Sequence, residues 1–421
     1  MFIHKLRNIL NSSFLKKYFL IFFSTNIVKI SLNLTASVIL INLVSKSDYG
    51  FVVLIPSIVN SFGFLKLPGL DVTISKHAAL KNNDIVFFSL RKAFFYSLFL
   101  SPILLLISLY YYLFQDNYTI SKILLFLSVI KPAHLFLQKW QPMLSGLNKF
   151  GKVSIFNALV SLDGFFALAI FYFTEEIWLY IISLFAFRTL SCFSFFIYGL
   201  NFIKVEKRSD GELIESEIKS GMTLTKVTFF SQLVKYLDQI IIASFGGLVL
   251  LAGYSVAKRL LDVINLVIQN MISLISIRFL KSDNYKGKVL SYFPFILLFS
   301  IVAYISLYYL SPYLILLVFP EYSESVNLFR WTSLSLLFMP YNWFLGKYLT
   351  YMNYIRENTF LVLSWSLLRS ILYFLLYQEY GIYGIFYTEI ITNIYAAIIR
   401  TLVLFDYFSF LNKKRFGGTE V

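Results

Sequence analysis

The sequence is short of most things that a soluble or cofactor-dependent enzyme uses. One cysteine, Cys192, stands among 421 residues. No disulfide can therefore close within the chain, and no Cys-x-x-Cys or Cys/His cluster is present to hold zinc or an iron–sulfur centre. The three histidines, His4, His77 and His134, are far apart in sequence, so neither a metal nor another cofactor is expected. Charged residues make up only 14% of the chain, against about 25% in soluble domains, which excludes a water-exposed globule. With 18 glycines and 9 prolines, collagen-like and low-complexity disorder are excluded as well. Acids are also scarce: 22 Asp and Glu stand against 37 Lys and Arg, for a net charge of +15.

What fills the sequence is apolar. Hydrophobic residues reach 58%, with 46 Phe and 30 Tyr, and the mean hydropathy is +0.73. A helix that crosses a bilayer needs about 20 mainly apolar residues. Twelve such runs occur, at 18–43, 50–74, 91–114, 121–146, 153–173, 177–203, 222–246, 252–277, 291–318, 325–350, 358–378 and 382–408. The first is too long for a signal-peptide core and no small-x-small cleavage site follows it, so it reads as a retained span. Each run is about twice the length of a barrel strand and lacks strict alternation, which favours helices. The expected fold class is an all-α integral membrane protein of about twelve transmembrane helices in two six-helix lobes.

The connections set the orientation. With the N-terminus inside, the inner side collects basic residues in nearly every loop, among them Lys5, Arg7, Lys76, Lys81, Arg91, Lys149, Lys207, Arg208, Lys219 and Lys413. The outer side holds only Lys46 and Lys122, beside Asp48, Asp116, Glu175, Glu176, Glu321, Glu324 and Glu379. Both termini are thus expected to be cytoplasmic. The same asymmetry accounts for most of the basic charge, so no nucleic-acid partner is implied. The longest polar stretch separates the sixth and seventh runs. Residues 1–205 are expected to form an N-terminal lobe, 206–221 a cytoplasmic connection and 222–421 a C-terminal lobe with a short cytoplasmic tail. No connection is long enough to hold a soluble catalytic domain. A weak internal echo supports the halves: Asn33 precedes Tyr49 by the same interval as Asp238 precedes Tyr254, as in transporters built from parallel repeats.

Charges remain inside the runs. Lys29, Lys66, Lys131, Lys139, Arg188, Lys235, Lys258, Arg259, Arg330, Lys347, Arg369 and Arg400 lie there with Asp71, Asp163, Asp238, Asp262 and Glu389. A charge at mid-helix disfavours insertion by roughly 2.5–3.5 kcal/mol on translocon scales, so these residues are expected to face protein or water. Asn26, Lys29, Asn33 and Ser37 share one helical face, as do Lys131, His134, Gln138 and Gln141. Lys347, Arg400 and Asp406 read as snorkelling anchors near the inner ends. Arg330 and Lys258, near the outer ends, fit anchoring or cavity roles equally. Asp262 reads as neutralising its basic neighbours, and His134 as a packing residue. The deeper Lys29, Lys66, Arg188, Lys235 and Arg369 favour a cavity. The excess of cations points to an anionic passenger, which phosphate or pyrophosphate would suit.

The chain resembles the O-antigen flippases of the Wzx type, in the polysaccharide-transport branch of the multidrug/oligosaccharidyl-lipid/polysaccharide (MOP) exporter superfamily. The likeness rests on Ser47-Asp48-Tyr49-Gly50-Phe51, Gly69-Leu70, Leu237-Asp238-Gln239-Ile240 and Ala252-Gly253-Tyr254-Ser255-Val256-Ala257-Lys258. Glu321-Tyr322 matches a further turn of the family, although Phe319-Pro320 replaces the glycine usual there. The resemblance implies translocation of an undecaprenyl-pyrophosphate-linked oligosaccharide across the bacterial inner membrane, by alternating access of two six-helix lobes around a cationic cavity. It implies as partners the lipid bilayer, a polysaccharide polymerase and a chain-length regulator. The candidate substrate-binding residues are Lys29, Lys66, Arg188, Lys235, Arg259 and Arg369, while Asp71 and Asp238 read as structural helix-capping or ion-pair partners, with ion coupling as the alternative. Two rival readings stand beside it: a membrane O-antigen polymerase or glycosyltransferase, which needs larger outer loops, and a drug/cation antiporter, which favours acidic or neutral cavity groups. A peptidoglycan-precursor carrier is a third, although such carriers often have two further spans.

Overall fold

The computed structural model describes residues 13–203, 211–279, 285–351 and 354–405. Lys5, Arg7, the start of the polar stretch 206–221, Asp406 and the tail lie outside these residues. Among them the chain is helical with no strand. This is what an apolar chain in lipid requires, because a helix satisfies every backbone N–H and C=O within its own segment. The chain divides into two compact units, Met1–Gln232 and Leu233–Val421.

In the first unit, α1 (Ser13–Leu43), α2 (Lys46–Ser61), α3 (Pro68–Ala79), α4 (Asn83–Leu98), α5 (Leu100–Phe114) and α6 (Tyr118–Leu137) are followed by α7 (Trp140–Gly146), α8 (Phe150–Val160), α9 (Asp163–Thr174), α10 (Ile177–Leu200) and α11 (Gly211–Val234). The second unit holds α12 (Leu237–Ile241), α13 (Gly247–Phe279), α14 (Tyr285–Val318), α15 (Ser325–Ser333), α16 (Met339–Tyr351), α17 (Ile355–Tyr380) and α18 (Ile382–Leu404). Eight stretches among the described residues are long and apolar enough to cross a membrane. Among the described residues, all twelve sequence runs fall largely in helices, the last as far as Leu404. The seventh and eighth fall together in Gly211–Gln269, and the tenth is divided by a 3-10 turn at Leu334–Leu337.

Two departures from the sequence reading shape the site. The run 50–74, read as one span, is broken: α2 and the segment Gly63–Ala79 meet at 52°. A 3-10 turn spans Gly63–Lys66, Leu67 takes a left-handed φ of 55°, and Pro68 opens α3. Proline suits a first helical position because it has no N–H to satisfy there. The second departure is that the polar stretch is already helical from Gly211. Ile214, Ile218 and Met222 recur every four residues and pack on Leu67, Leu70 and Ala93, so this part of α11 buries an apolar stripe on the first unit. Close approach is possible because both helices carry glycine at the crossing. A Cβ on Gly69 would lie 2.0 Å from the Gly221 carbonyl oxygen, while the Gly69 N–H donates to Thr225 Oγ1 at 3.1 Å. Lys76 Nζ (2.6 Å) and His77 Nε2 (3.2 Å) reach the Glu217 carboxylate beside it.

Candidate functional site

Four separate elements of the first unit contribute cations. The 3-10 turn carries Lys66, α1 carries Lys29, α6 carries Lys131 and α10 carries Arg188. Lys131 is the most enclosed, at 4% exposure. Its ammonium donates to Asn60 Oδ1 at 3.1 Å and lies 4.4 Å from the centre of the Phe185 ring. Among the described residues no carboxylate pairs with it. Arg188, one turn beyond Phe185, and Lys66 are near enough for their charges to act on Lys131, and Arg188 acts in the same way on Lys29. His134, one turn after Lys131, is buried and accepts from the Gln138 amide at 2.7 Å. The sequence thus placed Lys131, His134 and Gln138 on a shared inward face correctly.

Two acids of this unit, Asp71 and Asp163, lie among these cations. Lys139, wholly buried, donates to Asp71 Oδ1 at 2.5 Å and to the Leu67 carbonyl at 3.1 Å. Lys66 stands 3.7 Å from Asp71 Oδ2. Asp163, buried where α9 begins, accepts from Ser191 Oγ at 2.9 Å and leaves its Oδ2 without a hydrogen bond; it also lies within the field of Arg188. Among the described residues, Lys66 and Lys139 share Asp71, and Arg188 acts on Asp163. On the polar face of α1, Asn33 donates to Ser161 Oγ at 3.2 Å and Ser37 bonds back to the Asn33 carbonyl. The Asn26 side chain lies outside the described set.

In the second unit the deep charges are paired. Asp238, 1% exposed, accepts from the Tyr254 hydroxyl at 2.6 Å and from Lys258. Glu389 on α18 accepts from Arg369 and from the Tyr373 hydroxyl, the latter at 2.7 Å, while Arg369 also donates to the Tyr373 oxygen at 2.6 Å. The two arrangements have the same plan. A tyrosine and a cation four residues apart on one helix clasp a carboxylate from another element, and Asp238 lies within the field of Arg369. Lys258, which the sequence left between anchoring and a cavity role, is thus a partner of Asp238. Lys235 is exposed and Arg259 half-buried, and both act with Lys258 on the exposed Asp262.

Two expected anchors part company. Lys347 is exposed, but Arg400 is turned against α16, where it donates to the Asn342 carbonyl at 2.8 Å and keeps a buried Nε without an acceptor. Helix packing, rather than distance from the membrane surface, decides its environment. Arg330 packs 4.6 Å from the Tyr308 ring and donates to Ser311 Oγ at 3.1 Å. The sequence reading did not count Asn60, Lys131, Phe185 and Lys139 as parts of the site. Lys139 follows Lys131 by eight residues, and that spacing was the one available signal.

Residues 14–277 match the family described as polysaccharide biosynthesis protein (Polysacc_synt). No curated protein matches the sequence. Among solved structures, the chain is similar to an inward-facing multidrug resistance MATE family transporter of the MOP superfamily, with 15% identity, coverage of 91% of this chain and 96% of that one, and a TM-score of 0.67. It is similar to the lipid II flippase MurJ in an inward closed conformation, with 15% identity, coverage of 91% and 87%, and a TM-score of 0.64. It is also similar to a MOP superfamily transporter from Pyrococcus furiosus described as having a binding pocket of reversed polarity, with 13% identity, coverage of 95% and 96%, and a TM-score of 0.64. These likenesses are of fold: the chain shares the all-helical fold of these proteins.

Proposed function

Because the chain belongs to the polysaccharide biosynthesis protein family, we propose that it is a flippase that carries an undecaprenyl-pyrophosphate-linked oligosaccharide, an O-antigen or capsule repeat unit, across the bacterial inner membrane by alternating access. In this reading both termini are cytoplasmic, and a polymerase and a chain-length regulator act on the delivered unit. The observation that carries it is Lys131: a buried ammonium held by a neutral amide and an aromatic face, with Arg188 and Lys66 adding like charge. Removing such an ion from water costs several kcal/mol unless it is paired. A phosphate oxygen about 4 Å from a cation contributes roughly 4 kcal/mol at an effective dielectric near 20, so an anionic passenger offsets that cost where a neutral or cationic one does not.

The same accounting redistributes the expected binding residues. Lys29, Lys66 and Arg188 join Lys131 as ligands of the pyrophosphate. Lys235, exposed, and Arg259, half-buried, meet the saccharide or its acidic substituents. Arg369 is engaged with Glu389 and acts by maintaining the second unit. Asp71 and Asp238, the candidates for ion coupling, each already accept from a lysine. The antiporter reading is disfavoured by the surplus of cations, and the polymerase reading by the transporter fold. The test is surface polysaccharide in a strain that relies on this protein alone. Lys131→Met with Arg188→Gln should abolish display while leaving the amount of protein in the membrane unchanged. Full display in that variant would remove the proposal.

A further inference from the structure

Asp71 is shared unequally between two lysines. Its Oδ1 accepts from Lys139 at 2.5 Å, while Lys66 stands off Oδ2 at 3.7 Å, beyond the range of a good hydrogen bond. Lys139 has no solvent exposure, whereas Lys66 and Asp71 are each about a fifth to a quarter exposed. Asp71 also lies in the first turn of α3, where unsatisfied backbone N–H groups favour a negative charge. The broken span creates this geometry. The left-handed Leu67 turns the chain between Lys66 and Asp71, and its carbonyl takes a second bond from Lys139. One carboxylate, one buried lysine and one accessible lysine leave a net charge of +1, and the accessible lysine is the one without a tight partner.

Resting on the anionic-passenger reading above, we propose that Lys139 is a positioning residue for cargo binding: by occupying Asp71 from the buried side, it leaves Lys66 as an uncompensated cation available to the phosphate groups of the passenger. Without Lys139, the carboxylate would close on Lys66 and withdraw it. Lys139 itself is too deeply buried to touch the cargo, so its effect runs through Lys66. Asp71 in turn tethers Lys66 at the break without neutralising it.

The experiment is titration of inorganic pyrophosphate into the purified full chain in lipid nanodiscs, followed by calorimetry. Closure of Asp71 on Lys66 should weaken binding about tenfold in Lys139→Met. In a Lys66→Met background the same substitution should cost much less, because the part of its effect that acts through Lys66 has lost its route. Lys139→Met with Asp71→Asn should restore binding, because no carboxylate is left to close on Lys66. A purely structural role for Lys139 predicts neither the smaller loss in the Lys66→Met background nor the rescue. A tenfold loss that persists without Lys66, or wild-type binding in Lys139→Met, overturns the proposal. If Lys139→Met does not fold, Asp71→Asn alone decides: it keeps the bond from Lys139 to the Leu67 carbonyl and should bind more tightly, and unchanged or weaker binding refutes the idea. No pyrophosphate binding by the wild type would instead remove the anion-site reading itself.

Discussion

The Tyr254 hydroxyl donates to the Asp238 carboxylate at 2.6 Å, joining two residues whose spacing in sequence is repeated by Asn33 and Tyr49 in the first half. The repeat is one of sequence alone. Asn33 turns to Ser161, whereas Asp238 gathers Tyr254 and Lys258 into a buried polar group. Lys131, in the first unit, is held by an amide and an aromatic ring, whereas Asp238 and Glu389, in the second, each take a cation.

Removing one partner of the second unit's inner pair should therefore cost more than removing both. Asp238→Leu strands the Lys258 ammonium, and its expected cost is about 2–3 kcal/mol, below the 3–5 of a fully enclosed pair because Lys258 is 23% exposed. Asp238→Leu with Lys258→Met should recover most of that loss. Thermal unfolding of the detergent-purified protein checks the order, and equal costs for the single and double variants would contradict it.

The crossing of α3 and α11 makes a steric prediction. Gly69→Ala places a methyl 2.0 Å from the Gly221 oxygen and 2.7 Å from the Thr225 nitrogen, both backbone atoms that cannot rotate away. Overpacking of this kind costs about 1–3 kcal/mol or more, and the variant should be depleted from membranes or melt markedly earlier. Gly63→Ala, whose nearest contact is a Gln232 side-chain oxygen at 3.6 Å, is the control and should behave as wild type.

Arg400 separates an anchor from a buried contact. If its guanidinium only reached the membrane surface, Arg400→Met would leave stability unchanged. Its bond to the Asn342 carbonyl predicts a loss of roughly 1–2 kcal/mol when that charge-assisted contact is removed. Lys347→Met, at an exposed site, should show no loss. Melting curves of the two variants side by side decide between these descriptions.

Much of this was legible before any coordinates. Runs of about 20 apolar residues leave no alternative to helices in lipid, and polar residues at helical spacing gave the inward face of α6. The break in the second run had its signals, Gly63, Pro68 and Gly69, but hydropathy passes over them because Phe64, Leu65 and Leu67 keep the run apolar. The helical start at Gly211 was masked by its charges, although Ile214, Ile218 and Met222 carried the period. The partners could not be read at all. Asp71 with Lys139, Asp238 with Lys258 and Arg369 with Glu389 are chosen by which helices pack together, and a single sequence lists the charges without their neighbours. That is why Arg369 was counted among the binding cations and Lys131 was not.

The central claim is that Lys131 and the cations around it hold the anionic end of the passenger. Its most direct test is transport of a lipid-linked, pyrophosphate-bearing saccharide in proteoliposomes. Lys131→Met with Arg188→Gln is compared there with the charge-neutral exchange Arg369→Gln with Glu389→Gln. We expect the first variant to fall at least tenfold in rate while Lys131→Arg retains transport, and the second to stay within a few-fold of wild type. Undiminished transport by the first variant, with the loss confined to the second, would contradict the account.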